Sequence, residues 1–288
     1  MTAPILTYMP DPSSTKLKLP AGSCDSHVHI FGPAKQFPYA PTRSFTPVDA
    51  PKEALFALHK KLGIDRCVIV NTLIHGLDNS VVEDAMRAAP GRYLGVALVK
   101  VDVSDTELKR LAAAGFRGVR FHFMPGQAVD ETPQEIIALS KRLAPLGMHI
   151  QVQLHAMYAK ELMPILKESP VPIVMDHMGR VDAKLGIEHE YFQDYCRLLD
   201  QPGFMVKVSG IDRIDSQPPY KLGIEFARYL VRNFTEKCIW GTDWPHPNHT
   251  HIPDDGMLVD SLAKIAPKPD ILHQIMVDNP QRLYRFTA

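Results

Sequence analysis

The sequence has no excess of charge of either sign, because 32 Lys and Arg residues balance 32 Asp and Glu residues. A chain without a basic surface is not expected to bind nucleic acid or an acidic membrane. Any anion must therefore be recognised by a few placed cations rather than by the overall field of the molecule. We expect a small-molecule partner.

Paired cysteines, a signal peptide and long apolar runs are also missing. The four cysteines are widely spaced and form no CxxC pair, which predicts buried thiols rather than disulfides or a zinc knot. The N-terminus has no basic segment followed by an apolar core, and no run approaches the roughly 18 apolar residues of a membrane span. These absences predict a cytoplasmic protein.

The size and composition are those of a large globular domain. A length of 288 residues is normal for one α/β barrel, and a hydrophobic content of 45% suffices for a large core. Residues 1–20 are rich in Pro, Ser and Thr and lack periodicity, which predicts an arm lying over the surface. Residues 21–288 are predicted to form a single domain.

Eight short apolar runs are spaced along this domain, a pattern typical of strands covered on both faces of a parallel sheet. Eight strands with helical segments between them favour a closed (β/α)8 TIM barrel over a doubly wound sheet. The predicted strands are Ser23–His29, Arg66–Asn71, Tyr93–Leu98, Gly118–Phe123, His149–Leu154, Pro172–Asp176, Phe204–Val208 and Cys238–Thr242.

The segments between the strands have the pattern of amphipathic helices. Ser104 and Thr132 each begin a capping box, and Gly115 is placed to end the first of these two helices. The other predicted helices are Asn79–Ala89, Ala159–Glu168, Glu188–Leu199 and Lys221–Phe234.

Polar residues follow three of the predicted strands, where a barrel carries its catalytic groups. Strand one ends with His27 and His29, whose spacing puts both imidazoles on one face of the strand. His177 follows strand six and Asp243 follows strand eight. Each residue alone has an ordinary structural explanation, as a core histidine or a turn former. The four together predict an active site or a metal site.

These motifs resemble the amidohydrolase superfamily, which carries HxH on strand one and an Asp on strand eight. The stretches CDSHVHIFGP, IVMDHMGR, IWGTDWPHPN and NPQRLY resemble, in this order, the branch of that family whose lactonases open 2-pyrone-4,6-dicarboxylate. The similarity runs from about Leu19 to Tyr284. It implies a hydrolase that opens the ester ring of a small carboxylated lactone.

The resemblance also implies roles for particular residues. Asp243 is expected to be the general base for the attacking water, while His27, His29 and His177 line the pocket and polarise the carbonyl. Lactone hydrolysis needs such a base and donors facing the developing oxyanion, and an arginine fork pairs well with a carboxylate. The implied substrate-binding residues are Arg120, Arg180, Arg213, His75, Gln153 and Phe45.

The identity of the lactone is left open by three departures from the pyrone lactonases. The loop Met124–Val129 lacks an arginine that they carry, and Phe45 and Gln153 stand in place of two pocket tyrosines. The loop and Gln153 resemble a sugar-acid lactone branch that includes a lactone isomerase. A zinc-dependent decarboxylase of the superfamily and a non-catalytic binding barrel are two further hypotheses.

The sequence leaves a metal cofactor open as well. Two-metal members use a strand-four lysine and a strand-five histidine, whereas strand four here supplies Arg120 and His122, and His155 lies two residues beyond Gln153. A single Zn²⁺ would be suited by the four residues His27, His29, His177 and Asp243. The resemblance implies hydrolysis without a metal, which we expect. The oligomeric state does not follow from the sequence.

Overall fold

The computed structural model describes residues 3–126 and 131–287. Their eight strands belong to one sheet whose strand order follows the chain, and the fold is the predicted (β/α)8 barrel. The strands are β1 (Cys24–Val28), β2 (Arg66–Val70), β3 (Tyr93–Ala97), β4 (Phe116–Phe123), β5 (His149–Leu154), β6 (Ile173–Met175), β7 (Phe204–Lys207) and β8 (Cys238–Ile239).

All eight predicted strands are confirmed, with small changes at their ends. β5 has the predicted bounds, β4 begins earlier at Phe116, and β8 ends earlier at Ile239. β1 and β3 are buried along their whole length, as expected of strands covered on both faces.

Helices follow the strands, and the six predicted ones are confirmed as α2 to α6 and α8. The helices are α1 (Lys52–Leu62), α2 (Ser80–Ala88), α3 (Asp105–Ala114), α4 (Pro133–Leu143), α5 (Ala159–Leu166), α6 (Glu190–Asp200), α7 (Ile211–Ile214), α8 (Lys221–Phe234), α9 (Asp255–Ile265), α10 (Pro269–His273) and α11 (Asn279–Tyr284). Helix α1 was not predicted, since it follows Pro51 and has no side-chain N-cap. The C-terminal helices α9 to α11 were not predicted either.

Both predicted caps begin helices, with a complete capping box at Thr132 and a side-chain N-cap alone at Ser104. Ser104 Oγ accepts a hydrogen bond from the N–H of Glu107 at 3.1 Å, and α3 ends at Gly115 with a φ of 108°. At α4, Thr132 Oγ1 accepts from the N–H of Glu135 at 3.3 Å, and the N–H of Thr132 donates to Glu135 Oε2 at 2.7 Å. These caps satisfy backbone donors that a helix leaves unpaired at its start.

The chain divides into two compact units: Met1–Leu98 with Trp240–Ala288, and Val99–Ile239. In the first unit the N-terminal arm is held by its backbone, because the N–H of Ser13 donates to Asp254 Oδ1 at 3.0 Å and the N–H of Lys16 donates to Asp260 Oδ1 at 2.8 Å. That residues 21–288 form a single domain stays a prediction.

Two absences expected from the sequence can be checked against the structure. The four cysteines all lie within the described residues, and they are buried thiols with no disulfide among them. Among the helices in the described part of the chain, none is long and apolar enough to cross a membrane.

Candidate active site

The first unit brings together the histidines of β1 and the aspartate that follows β8. The side chain of Asp243 is fully buried, and its Oδ1 lies 3.2 Å from Nε2 of His29 and 3.6 Å from Nε2 of His27. The two imidazole rings meet edge to face, with centroids 4.9 Å apart. Three of the four residues predicted from the strand ends therefore form one buried group.

The proton positions on His29 follow from its partners. Nδ1 lies 2.7 Å from the carbonyl oxygen of Val70, which can only accept a hydrogen bond, so Nδ1 carries a hydrogen. Nε2 then faces Asp243 Oδ1. A lone pair on Nε2 would repel an ionised carboxylate at 3.2 Å, so the pair holds either a proton or a cation between its two atoms.

The backbone holds Asp243 beside β1. The N–H of Asp243 donates to the carbonyl oxygen of His27 at 2.8 Å. The N–H of His29 donates to the carbonyl oxygen of Trp244 at 2.6 Å. Asp243 has a φ of 69°, in the left-handed region that costs most residues about 1 kcal/mol or more. Strain of this kind is concentrated at functional sites, which fits a role for the carboxylate.

This buried group also fits a single divalent cation. One candidate ligand atom from each of His27, His29 and Asp243 lies within 4.8 Å of the other two. Two imidazoles and a carboxylate are ligands that zinc accepts. Metal-binding histidines commonly donate the N–H of their other ring nitrogen to a carbonyl oxygen, as His29 does to Val70. Both the chemistry and the orientation of the donors suit a metal.

His75, predicted to contact substrate, is buried in the loop after β2. Its Nε2 accepts a hydrogen bond from the N–H of Gly32 at 3.2 Å, and its Nδ1 lies 3.4 Å from the carbonyl oxygen of Pro38. Burial lowers the pKa of His75, which keeps the ring neutral. These contacts connect the loops after β1 and β2.

Phe45 is half-buried, with its ring edge towards Phe31. Substrate contact by His75 and Phe45 stays a prediction.

In the second unit, Arg120 is fixed at β4 by a buried polar network. Its Nε donates to Asp176 Oδ2 at 2.9 Å, and its Nη2 donates to Gln153 Oε1 at 2.8 Å. Gln151 Nε2 donates to the same Asp176 oxygen at 3.0 Å. Lys207 Nζ donates to Gln151 Oε1 at 2.7 Å and lies 3.6 Å from Asp176 Oδ1. Two cations thus share one carboxylate, and the guanidinium plane is held from two sides.

Sequence reasoning missed Asp176, Gln151 and Lys207. Lys207 is fully buried at the end of β7, and the signal for it was a lysine inside the apolar run FMVKV. A lysine is almost never fully buried unless it is paired, so such a residue indicates a buried anion nearby. Asp176 directly precedes His177 and was passed over in its favour.

His177 and Arg213 lie beside each other in the second unit. A Cβ atom built on Gly210 would lie 3.2 Å from His177 Cβ and 3.3 Å from Arg213 Cδ, so both side chains pack over this glycine. His177 is buried, and its Nδ1 lies 2.9 Å from Ser209 Oγ. The structure thus brings a predicted pocket histidine and a predicted carboxylate-binding arginine together.

Arg180 is half-buried at the end of the turn after β6. Burial, followed by the nearby Arg180 guanidinium, lowers the pKa of His155. Part of the loop Met124–Val129 falls at residues 127–130, outside the described residues, so the prediction drawn from it is not addressed by the structure.

Comparison with known proteins gives the same picture over nearly the whole chain. A family model described as amidohydrolase matches residues 24–286. The 2-pyrone-4,6-dicarboxylate hydrolase of Comamonas testosteroni is 41% identical over 97% of this chain and 95% of its own length. The 4-sulfomuconolactone hydrolase of Hydrogenophaga intermedia is 35% identical over 92% of this chain and 89% of its own length. A solved structure of a probable 2-pyrone-4,6-dicarboxylic acid hydrolase from Acinetobacter baumannii, with citric acid bound, has a TM-score of 0.82 at 25% identity and covers 92% of this chain and 100% of its own.

Proposed function

The chain belongs to the amidohydrolase family, and we propose that it is a hydrolase that opens the ester ring of a small carboxylated lactone, with 2-pyrone-4,6-dicarboxylate as the expected substrate. The observation that carries this proposal is the buried carboxylate of Asp243 against the imidazoles of His27 and His29. The two relatives named above are hydrolases of a pyrone dicarboxylate and of a sulfonated lactone.

Asp243 is the general base in this reaction. It takes a proton from a water molecule whose oxygen adds to the lactone carbonyl carbon. The bond from that carbon to the ring oxygen then breaks, and the ring oxygen receives the proton that Asp243 had accepted. The product is an open chain with one more carboxylate than the substrate. A base held without solvent contact suits this transfer, since bulk water does not compete for the proton.

His27 and His29 stabilise the negative charge that develops on the carbonyl oxygen. Donors placed in advance around such an oxyanion typically contribute a factor of about 10²–10³ each. The hydrogen bond from His29 Nδ1 to Val70 fixes the ring, so that Nε2 points towards the reaction centre. His177, held by Ser209, is proposed as a further pocket histidine.

A metal is not required in the mechanism that we propose. His27, His29 and Asp243 could hold one divalent cation, which would polarise the carbonyl and lower the pKa of a bound water. Two-metal members use a lysine on strand four and a histidine on strand five, whereas strand four here has Arg120 and His122 and no lysine, and His155 lies two residues beyond Gln153. The lactonase branch that the sequence resembles implies hydrolysis without a metal.

Arginines bind the substrate carboxylates in this proposal. Within the described part of the chain, Nη1 of Arg120 makes no hydrogen bond, while Asp176 and Gln153 hold the rest of its guanidinium. Nη1 thus keeps its N–H donors for a carboxylate. Arg180 and Arg213 follow strands six and seven, and a barrel directs the groups that follow its strands towards one opening.

A second candidate substrate is a hydroxyl-rich sugar-acid lactone, which one observation favours. Gln153 Oε1 is occupied by Arg120, so the amide NH2 of this half-buried glutamine is left as a donor. A sugar-acid lactone carries hydroxyl oxygens that can accept a hydrogen bond from this NH2, whereas the pyrone dicarboxylate has no hydroxyl group.

A panel of lactones assayed by proton release tests the proposed function. Each ring opened at neutral pH yields a carboxylate and one proton. The panel comprises 2-pyrone-4,6-dicarboxylate, 4-sulfomuconolactone, a sugar-acid lactone and an aromatic acid monitored for CO2. We expect turnover of the pyrone with proton release. CO2 evolution from the aromatic acid, with no lactone opened, would replace the lactonase by a decarboxylase.

A further inference from the structure

We propose that Asp25 is a positioning residue whose buried carboxylate connects β1 to the turn carrying Asp243 and thereby sets the position of the base. The proposal rests on the proposed function, because it takes Asp243 to be that base. It assigns a role to this aspartate, which lies two residues before His27 and outside the HxH motif.

Both oxygens of the Asp25 carboxylate are engaged, and the side chain is fully buried. Oδ1 accepts hydrogen bonds from the N–H of His27 at 3.1 Å and from the N–H of Thr242 at 3.0 Å. Oδ2 accepts from the hydroxyl of Thr242 at 2.6 Å. One carboxylate thus binds the backbone of a pocket histidine and the residue directly before Asp243.

The Thr242 hydroxyl extends this connection to the other side of the base. While donating to Asp25, Thr242 Oγ1 accepts from the N–H of Trp244 at 3.1 Å. Thr242 and Trp244 are the two neighbours of Asp243 in the chain. The turn is therefore held on both sides of Asp243, whose φ of 69° lies in the left-handed region.

The two segments approach too closely for any side chain between them. A Cβ atom on Gly241 would lie 2.6 Å from the His27 nitrogen and 2.9 Å from Asp25 Oδ1. Real Cβ atoms essentially never approach other atoms so closely, so glycine is required here. The space between the two segments is occupied by the Asp25 carboxylate and its hydrogen bonds.

A second layer supports Asp25 from α1 and β3. His59 Nε2 lies 3.5 Å from Asp25 Oδ2, and His59 Nδ1 is hydrogen-bonded to the Tyr93 hydroxyl at 2.6 Å. Burial raises the pKa of Tyr93, so that its phenol keeps its proton. His59 therefore contacts the carboxylate in addition to the three hydrogen bonds that the carboxylate accepts.

A purely structural role would be an unusual use of a carboxylate. Burying a charge is costly unless it is well hydrogen-bonded, and apolar packing joins two segments as stably. Hydrogen bonds add direction, which matters where a neighbouring group must be placed accurately. A displacement of about 1 Å at a reacting group can cost about 10²-fold in rate.

Thr242→Val tests the proposal, because valine keeps the shape of threonine and removes the hydroxyl. We expect kcat for the lactone to fall by about 10²-fold with KM little changed, and Thr242→Ser to restore most of the loss. Ser261→Ala is the matched control, since it removes another buried hydroxyl of the first unit, bonded to the Leu258 carbonyl at 2.6 Å. It should leave kcat unchanged. A loss of kcat in Ser261→Ala as large as that in Thr242→Val would overturn the proposal.

A double variant separates positioning from a general loss of stability. In an Asp243→Asn background, Thr242→Val should have no further effect on the residual rate, because it acts through Asp243. A full additional loss would contradict the proposal. Asp25→Asn serves if Thr242→Val does not fold, and failure of both to fold would show that the contact serves the fold alone.

Crystal structures keep this test distinct from the test of the proposed function. In Thr242→Val the Asp243 carboxylate should move away from His29, and in Thr242→Ser the distance of 3.2 Å should return. An unmoved carboxylate in Thr242→Val overturns the positioning role even if lactones are hydrolysed. If no lactone is hydrolysed, the proposed function fails, and the crystal structures still decide whether Asp25 places the carboxylate.

Discussion

The carboxylate of Asp243 and the imidazole of His29 illustrate how much chemistry depends on single atoms. Nδ1 of His29 is committed to Val70, so the interaction with Asp243 at 3.2 Å depends on whether Nε2 carries a proton. An amide in place of the carboxylate would keep the shape of the group. It would remove the carboxylate to which the proposed mechanism assigns the proton from water.

Asp243→Asn is therefore expected to lower kcat by about 10²–10⁴-fold with KM little changed, because general-base catalysis contributes a factor of this size. Steady-state kinetics on the pyrone dicarboxylate measures it, with a thermal melt to confirm the fold. A variant that retains a tenth of the wild-type kcat would contradict the assignment of the base.

Arg120 is the arginine for which the structure gives the most detailed geometry. Arg120→Met should reduce kcat/KM by roughly 30- to 4000-fold for a dicarboxylate lactone, corresponding to about 2–5 kcal/mol, and far less for its neutral diester. Arg110→Met is the control, because Arg110 pairs with Glu107 on the exposed face of α3. Equal losses on charged and neutral substrates would mean that Arg120 supports structure only.

At the scale of elements, the apolar runs predicted every strand but not where β8 ends. The run Cys238–Thr242 is continuous in the sequence, yet the strand ends at Ile239. The last residues leave the ladder because Asp25 and the backbone of β1 hold them in the turn before Asp243. A contact between segments more than 200 residues apart leaves no local signal. The strand ends are therefore where the sequence was least informative and where the candidate site lies.

The closeness of β1 and this turn makes Gly241 a sensitive position. Gly241→Ala should destabilise the protein by about 1–3 kcal/mol and lower kcat, because the new methyl group clashes with the backbone of His27. Gly63→Ala is the control: it has a φ of 74° but nothing within 4 Å of its Cβ, so it should cost only backbone strain. Denaturant unfolding and kcat measure the two effects. A Gly241→Ala variant with wild-type kcat would show that the base does not depend on this contact.

For the whole molecule, sequence patterns were enough to predict the barrel, its eight strands and three residues that meet in one buried group. They could not predict the network of Asp176, Gln151 and Lys207, because its members are adjacent only across neighbouring strands. They also missed α1, which lacks a capping side chain. Periodicity reports which face is buried, and it does not report which buried polar groups pair.

Metal dependence is a property that is measured on the whole enzyme. Dialysis against a strong chelator should leave lactone hydrolysis nearly intact, and elemental analysis should find less than one tightly held ion per chain. Full loss of activity, restored by added Zn²⁺ alone, would show that His27, His29 and Asp243 act as metal ligands.

The central claim is that this barrel adds water across the ester of a carboxylated lactone. Incubation of 2-pyrone-4,6-dicarboxylate with the wild-type enzyme in ¹⁸O-water, followed by mass spectrometry of the product, tests it most directly. Hydrolysis predicts an open-chain product that carries one oxygen from solvent, formed at least about 10²-fold faster than with Asp243→Asn. Recovery of unchanged lactone, or a product without solvent oxygen, would contradict the account.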